Sequence, residues 1–354
     1  MAAFVRAGAL SKYAEVARQL GMDPHAMLRR ANLDPMLLVR PDVRVPVEAV
    51  TALLEASAER SRCPTFGLRM AEARGLSDFG AVSLLLTHQP TMRDVLATTA
   101  RYRHLLNEAL AMHIEDSGGL VIIREELVVA NAGSVRQGRE LAVGTMFRLF
   151  QALLGPNWRP YSVNFTHGAP PDAGIHRRLF GPNVEFNSEF NGIVCVSSDL
   201  DRPNPTADPA MARYARQFVE TLPNTAVRSV VLEVRKAIFL LLPLGQASIE
   251  SVAGEMGANV RTLQRRLEAE GAAFSDLVDG VRRDLVVRHL MNDSYSLSQV
   301  AQMLGYAQLS SFTRWFAARF GMPPVRWRVS ARAAARVSDS GSVLATDTAT
   351  SENS

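Results

Sequence analysis

The feature that most constrains this chain is an internal repeat at an offset of 48 residues. Val252, Ala253, Met256 and Gly257 correspond to Val300, Ala301, Leu304 and Gly305, and each set reads apolar-Ala-x-x-apolar-Gly. A helix-turn-helix needs this pattern for physical reasons. The small Ala lets a second helix cross closely, and the Gly takes a left-handed turn without a Cβ clash. The second helix then needs an apolar anchor six or seven residues after the Gly, which Leu263 and Phe312 provide. Its other face is left open. That face offers Arg261, Thr262, Gln264 and Arg265 in the first unit, and Ser310, Ser311, Thr313 and Arg314 in the second. Arg bonds bidentately to guanine and Gln to adenine in the major groove. One such unit is a weak signal of DNA binding; two at fixed spacing are far more specific.

A helix expected over Ser275 to Met291 joins them, with Phe274, Leu277, Val278, Val281, Leu285 and His289 along one stripe. A linker of this kind holds two recognition helices about 34 Å apart, one turn of DNA. Both then enter successive major grooves on one face without a dimer. Charge agrees with this placement. Residues 225–332 hold 14 basic and 9 acidic side chains, residues 1–224 hold 24 and 23, and residues 333–354 hold 1 and 3. The positive excess sits in one segment, as an electrostatic footprint for nucleic acid does.

Residues 225–330 resemble the DNA-binding domain of AraC/XylS-type regulators. The run from Ser298 to Pro324 is similar to the family signature at Ala301, Gly305, Tyr306, Phe312, Arg314, Phe316, Phe320, Gly321 and Pro324. The resemblance implies that Arg261, Gln264 and Arg265 read bases in the first unit, and Ser310, Ser311 and Arg314 in the second. Two departures stand out. Leu267 replaces a frequent Phe, which alters packing only. Leu309-Ser310 is short or apolar where members often carry longer polar groups, which weakens the carry-over to the second unit. Farther upstream, Pro90-Thr-Met-Arg-Asp94, Arg101-Tyr102, Phe165 to Pro171, Arg178 to Gly181 and Val184-Glu-Phe186 resemble the effector domain of ornithine-utilisation-type members. That domain is called arabinose-binding-like, a name that does not fix the ligand. The partners so implied are double-stranded promoter DNA, a small-molecule effector of unknown identity, RNA polymerase and a second copy of the chain.

The first two-thirds reads as a mixed domain. Short helices are expected over 9–20 and 24–31. Further helices are expected from Pro46, from the Thr91 cap with Asp94 to about Leu106, over Arg136 to Leu154, and over 210–222. Strands are expected over Ala109 to Glu115 and Leu120 to Leu127, flanking Gly118-Gly119, and over Tyr161 to Thr166 and Gly192 to Ser197. The fold class is therefore an α+β N-terminal effector domain followed by an all-α domain with two helix-turn-helix units joined by a linker helix. The expected boundaries are 1–222, 225–330 and a disordered tail over 333–354, with a Pro-stiffened connection at 201–209.

Within the effector domain, Arg101, Tyr102, His104 and Asn107 are the candidate ligand-binding residues. Helix 91–106 and the hairpin strands 109–127 are the expected walls of a mostly apolar pocket with a few polar groups. Other signals favour plain structure. Val16-Ala17-x-x-Leu20-Gly21 mimics a third helix-turn-helix, but a packed helical hairpin is expected there. His167 and His176 suit no common zinc spacing. Cys63 and Cys195 form no disulfide framework; Cys195 lies in an apolar strand, as an inert buried thiol does. A reducing cytoplasm fits that usage, and the most apolar run, Ala237 to Leu242, is far short of a membrane span. No G-x-S-x-G, P-loop or G-x-G-x-x-G occurs. The expectation is a regulator with no catalytic residues, metal or cofactor. The alternative is a small-molecule-transforming enzyme domain fused to a DNA-binding module.

Overall fold

Gly118-Gly119 separates two apolar-rich runs, and both glycines have positive φ, 58° and 91°. This is the backbone of a two-residue turn whose twist matches the flanking strands. In the computed structural model, which describes residues 3–129, 134–222, 229–292 and 294–333, the resulting hairpin anchors the larger sheet. Strands β1 (Phe4–Arg6) and β2 (Arg44–Pro46) form a separate antiparallel pair. The hairpin is β3 (Leu110–Ser117) and β4 (Leu120–Leu127), followed by β5 (Ser162–Asn164), β6 (Val184–Glu185) and β7 (Gly192–Val196). The five-stranded order is β3-β4-β7-β5-β6, antiparallel except for the β5–β6 pair.

Helix Arg136–Leu154 packs against this sheet and against helix Phe66–Glu72. It brings Phe147 and Phe150 to Trp158, with the Phe150 and Trp158 rings stacked at 4.6 Å. Helix Met92–Leu106 starts where expected: the Thr91 hydroxyl accepts the Asp94 N–H at 3.2 Å, satisfying a donor the helix leaves open. The segment mimicking a third helix-turn-helix forms helices Tyr13–Gln19 and Pro24–Arg30. Their Val16, Ala17, Met27 and Leu28 are buried in the core, so this is a packed hairpin. The Pro-rich connection leads into helix Pro209–Thr221.

The chain divides into two compact units, 1–236 and 237–354. Helix Val230–Leu241 carries the backbone from one to the other. Pro223-Asn224, the boundary expected from the sequence, lies outside the described residues. The second unit is helical: Ile249–Glu255, Val260–Ala269, Phe274–Met291, Leu297–Met303 and Leu309–Phe320, with residues 324–333 also helical. The tail expected to be disordered lies almost wholly outside the described residues. Among the described residues, no helix is long and apolar enough to cross a membrane.

Candidate nucleic-acid interface

The sequence repeat is a repeat of structure, bond by bond. Helices Ile249–Glu255 and Leu297–Met303 begin and end 48 residues apart. Ser248 caps the first, accepting the Ser251 N–H at 3.1 Å, and Ser296 caps the second, accepting the Gln299 N–H at 3.2 Å. Val252 and Val300 are fully buried, and Ala253 and Ala301 nearly so. The chain then turns through Gly257 (φ 61°) and Gly305 (φ 73°), a region that costs an L-residue about 1–2 kcal/mol. Each turn closes with the same long bond, Ala258 N–H to the Ala253 carbonyl and Tyr306 N–H to the Ala301 carbonyl, both 2.9 Å. The serine caps extend the repeat beyond the four pairs visible as an apolar pattern.

The anchors Leu263 and Phe312 are fully buried, and this fixes which face of each second helix is free. On Val260–Ala269, Arg261, Gln264 and Arg265 are exposed and Thr262 is half-buried. The Thr262 N–H bonds the Asn259 side chain at 2.8 Å, which caps the helix. On Leu309–Phe320, Ser310 and Arg314 are exposed and Ser311 is half-buried. Leu309 is exposed at the start of that helix, so its leading edge is apolar.

The arginines of this unit fall into two groups. Arg282 donates from Nε to the Leu304 carbonyl at 2.9 Å and lies over the Tyr306 ring at 4.3 Å. Arg319 bonds Asp279 at 2.6 Å, and Trp315 donates to the same carboxylate, also at 2.6 Å. These side chains hold the second unit to the connecting helix. Arg261, Arg265 and Arg314 carry no ion pair or hydrogen bond among the described residues, and neither do the exposed Arg266 and Arg326. Sequence reasoning passed over the last two because neither falls at a recognition position. Their freedom is visible only once the partners of the other arginines are known.

In the first unit, the four candidate effector residues do not line one cavity. Arg101 is exposed and lies 3.9 Å from Glu220, and the buried Tyr102 donates its hydroxyl to Glu220 at 3.2 Å. His104 bonds the Arg101 carbonyl through Nδ1 at 3.2 Å. Asn107 alone lines a cavity of about 130 Å³, whose walls include Thr99, Arg103 and Leu106 of helix Met92–Leu106 and Leu110 and Glu125 of the hairpin.

Two histidines far apart in sequence do meet. His167 and His176 each place Nε2 3.2 Å from Oε1 of the buried Glu140. Burial would raise that carboxyl; the His167 and His176 imidazoles against it outweigh burial and hold the pKa down to about 2. Among the described residues no group of three or more ligands could hold a metal. Cys63 and Cys195 are both buried and free, and burial pushes the Cys195 thiol up to about 12.

Two helix-turn-helix units, each with a free cationic face and joined by an 18-residue helix, define a DNA-binding protein. Residues 21–204 match the N-terminal arabinose-binding domain of AraC transcription regulators, and residues 252–330 match a helix-turn-helix domain. The HTH-type transcriptional regulator VirS of Mycobacterium tuberculosis is 32% identical over 334 residues, covering 93% of this chain and 97% of that protein. The ornithine utilization regulator of Pseudomonas aeruginosa is 23% identical over 316 residues, covering 89% and 93%. The chain belongs to the AraC family of transcription regulators.

Proposed function

We propose that this regulator reads promoter DNA through Arg261, Gln264 and Arg265 in one major groove and Ser310, Ser311 and Arg314 in the next. Arg266 and Arg326 serve as phosphate contacts. The observation that carries this reading is the division among the arginines. Those with structural work are tied to carbonyls and carboxylates, while those on the two recognition faces are left without partners. A buried ion pair would have to be broken before a base could be bonded; a free guanidinium needs only to shed water. The first recognition helix carries the base reading, because Arg261, Gln264 and Arg265 are longer and more polar than Leu309, Ser310 and Ser311.

The first unit acts in this reading by binding a small effector rather than by catalysis. The cavity beside Asn107 supports it. So does Arg103 on that wall, which bonds Glu233 at 2.8 Å. Glu233 stands on the helix through which the chain passes into the second unit. RNA polymerase and a second copy of the chain are its protein partners, and the cytoplasm its place of action. The exposed Met211, Tyr214 and Phe218 of helix Pro209–Thr221 favour the second copy.

The test is a genome-wide map of DNA bound by the full chain. We expect discrete sites sharing a sequence motif about one helical turn long or more. Uniform occupancy, tracking only salt, would reduce the protein to nonspecific binding.

A further inference from the structure

Most polar groups on the wall of the first unit's cavity are already engaged within the fold. Thr99 donates its hydroxyl to the Val95 carbonyl at 2.8 Å, and Thr145 donates to the Leu141 carbonyl at 2.6 Å. Arg74 is held by the Gly8 carbonyl at 3.3 Å, the Ala9 carbonyl, and the Thr145 hydroxyl at 3.3 Å. Arg103 has its outer nitrogens on the Ala100 carbonyl and Glu233. The Nε atoms of both arginines are enclosed by protein and offer no surface to a ligand. Arg6 bonds Asp42 at 2.7 Å. Asp78 accepts the Gly75 N–H at 2.8 Å and the Ser11 hydroxyl. Each charged group is thus committed to the fold.

Two side chains on the wall are less fully engaged. Asn107 gives its carboxamide oxygen to the Ala109 N–H at 2.9 Å, and its amide nitrogen has no acceptor among the described residues. Glu125 is buried, and burial pushes its pKa up to about 8, so at neutral pH it is mostly the uncharged acid. The rest of the wall is apolar, with Phe79, Leu106, Leu110, Leu141 and Met146. Water does poorly against such a surface, because a buried water needs about three hydrogen bonds. Size points the same way. A cavity of about 150 Å³ lined by Leu, Ile and Phe stays dry and binds benzene; this one is about 130 Å³.

We propose that this cavity binds a compact, uncharged, apolar molecule about the size of one six-membered ring, and takes neither a sugar nor an amino acid. A sugar carries several hydroxyls to a wall with few groups left to answer them. Each hydroxyl left unmatched weakens binding about tenfold. A free amino acid brings two charges and finds no counter-charge that is not already engaged. An apolar ring leaves every bond of the wall intact and buries its surface against the leucines, Phe79 and Met146. The ligand class rests on the reading of the first unit as an effector-binding unit.

The test is calorimetry on the full chain at pH 7 with toluene, benzoate, benzylamine and arabinose. The first three share one ring and differ in charge. We expect toluene to bind at least about tenfold tighter than benzoate or benzylamine, because an unpaired charge is costly to bury. Arabinose should not bind. Ala142 lines the cavity from helix Arg136–Leu154; Ala142→Leu fills the space and should abolish toluene binding. Leu106→Ala enlarges it and should tighten the binding of propylbenzene. The two changes act in opposite senses, so either one tests the site if the other fails to fold. Benzoate, benzylamine or arabinose binding as tightly as toluene overturns the proposal. So does toluene binding that Ala142→Leu leaves unchanged, or no toluene binding at all. If arabinose or benzoate binds instead, and Ala142→Leu abolishes it, the apolar class falls and the effector-binding reading stands. Binding to target DNA by the same preparation is measured in parallel. If DNA is bound and none of the four compounds is, the ligand class falls and the reading of the second unit stands.

Discussion

Both units divide the same residue between side chains tied into the fold and side chains left exposed, but they place the exposed ones differently. All the basic side chains but Lys12 and Lys236 are arginines. In the first unit several are tied into the fold: Arg139 on Glu126 at 2.5 Å, Arg136 on Glu140 at 3.3 Å, Arg93 on Asp201 at 2.8 Å and Arg178 on Glu72 at 2.8 Å; others, Arg30, Arg60 and Arg69 among them, stand exposed. In the second unit, three arginines on recognition faces have nothing to bond. A cation paired within the fold lowers the energy of one conformation; a cation left free holds its interaction for a partner. Density of positive charge therefore says little about where DNA binds. Position says more: the unpaired arginines of the second unit include those on the faces that the buried anchors Leu263 and Phe312 leave free.

The comparison breaks hardest where each unit depends on one buried group. In the first unit, Glu140 is enclosed by Arg136, His167 and His176. Removing one partner from a buried ionic cluster leaves charges uncompensated, at about 3–5 kcal/mol. Glu140→Ala should therefore unfold the first unit early in urea, read by the fluorescence of Trp158, and leave Trp315 and Trp327 reporting a second unit unchanged. Simultaneous loss of all three signals would show that the units unfold as one. The same carboxylate sets an acid limit. Its folded pKa lies near 2 against an ordinary 4.5. Its stabilisation is thus complete above the unfolded value and fades as pH falls from there towards 2.

The reciprocal change is Phe312→Ala. Phe312 is fully buried among Tyr306, Trp315 and Phe316, and truncating a core Phe costs about 3–5 kcal/mol. DNA binding should be lost while Trp158 reports an intact first unit. A variant that still binds specific DNA would mean the first helix-turn-helix suffices alone.

Sequence reasoning saw these two regions unequally, and the reason is physical. The second unit obeys one local rule twice, so Ala253, Gly257, Ala301 and Gly305 were legible as a pattern. Helix Arg136–Leu154 was legible because it is long and keeps one period, and the hairpin because Gly118-Gly119 marks its turn. Strands β1, β2 and β6 are two or three residues long, too short to show any alternation. The Glu140 cluster joins residues 27 and 36 positions apart, and nothing near any of the three announces it. Glu125 stands in a run of three charged residues, Arg124-Glu125-Glu126, which gives no sign that it is buried in the fold. Helix Met92–Leu106 was foreseen as a pocket wall, but its charged residue on the cavity is the half-buried Arg103, between the candidates chosen.

A smaller effect separates reading from holding. Arg265→Ala should cost about 1–3 kcal/mol on target DNA and relax preference at one base pair. Arg266→Ala should weaken target and random DNA alike and lower the salt dependence of binding by about one unit. Equal loss on both DNAs for Arg265→Ala would move it to the phosphate group.

The smallest effect tests whether the repeat is energetic as well as geometric. Ser248 and Ser296 cap equivalent helices at equivalent positions, with hydroxyl-to-amide distances of 3.1 and 3.2 Å. Replacing a capping serine with alanine costs about 1 kcal/mol, because one backbone N–H of the first turn loses its acceptor. The two sites differ in one respect. Gln299 reaches back to the Ser296 N–H at 2.8 Å, and that bond survives when the serine hydroxyl is removed. At the first site Ser251 stands in the matching place, its hydroxyl 3.1 Å from that of Ser248. Ser248→Ala therefore leaves the Ser251 hydroxyl without its neighbour as well as the amide without its acceptor. Ser248→Ala should cost slightly more than Ser296→Ala, and the double variant should equal their sum within about 0.5 kcal/mol, as distant sites do. Urea titration in a Trp158→Phe background isolates the signal of the second unit. A cost at Ser296 exceeding that at Ser248 would show that the capping box, not the serine pair, sets the stability of the repeat.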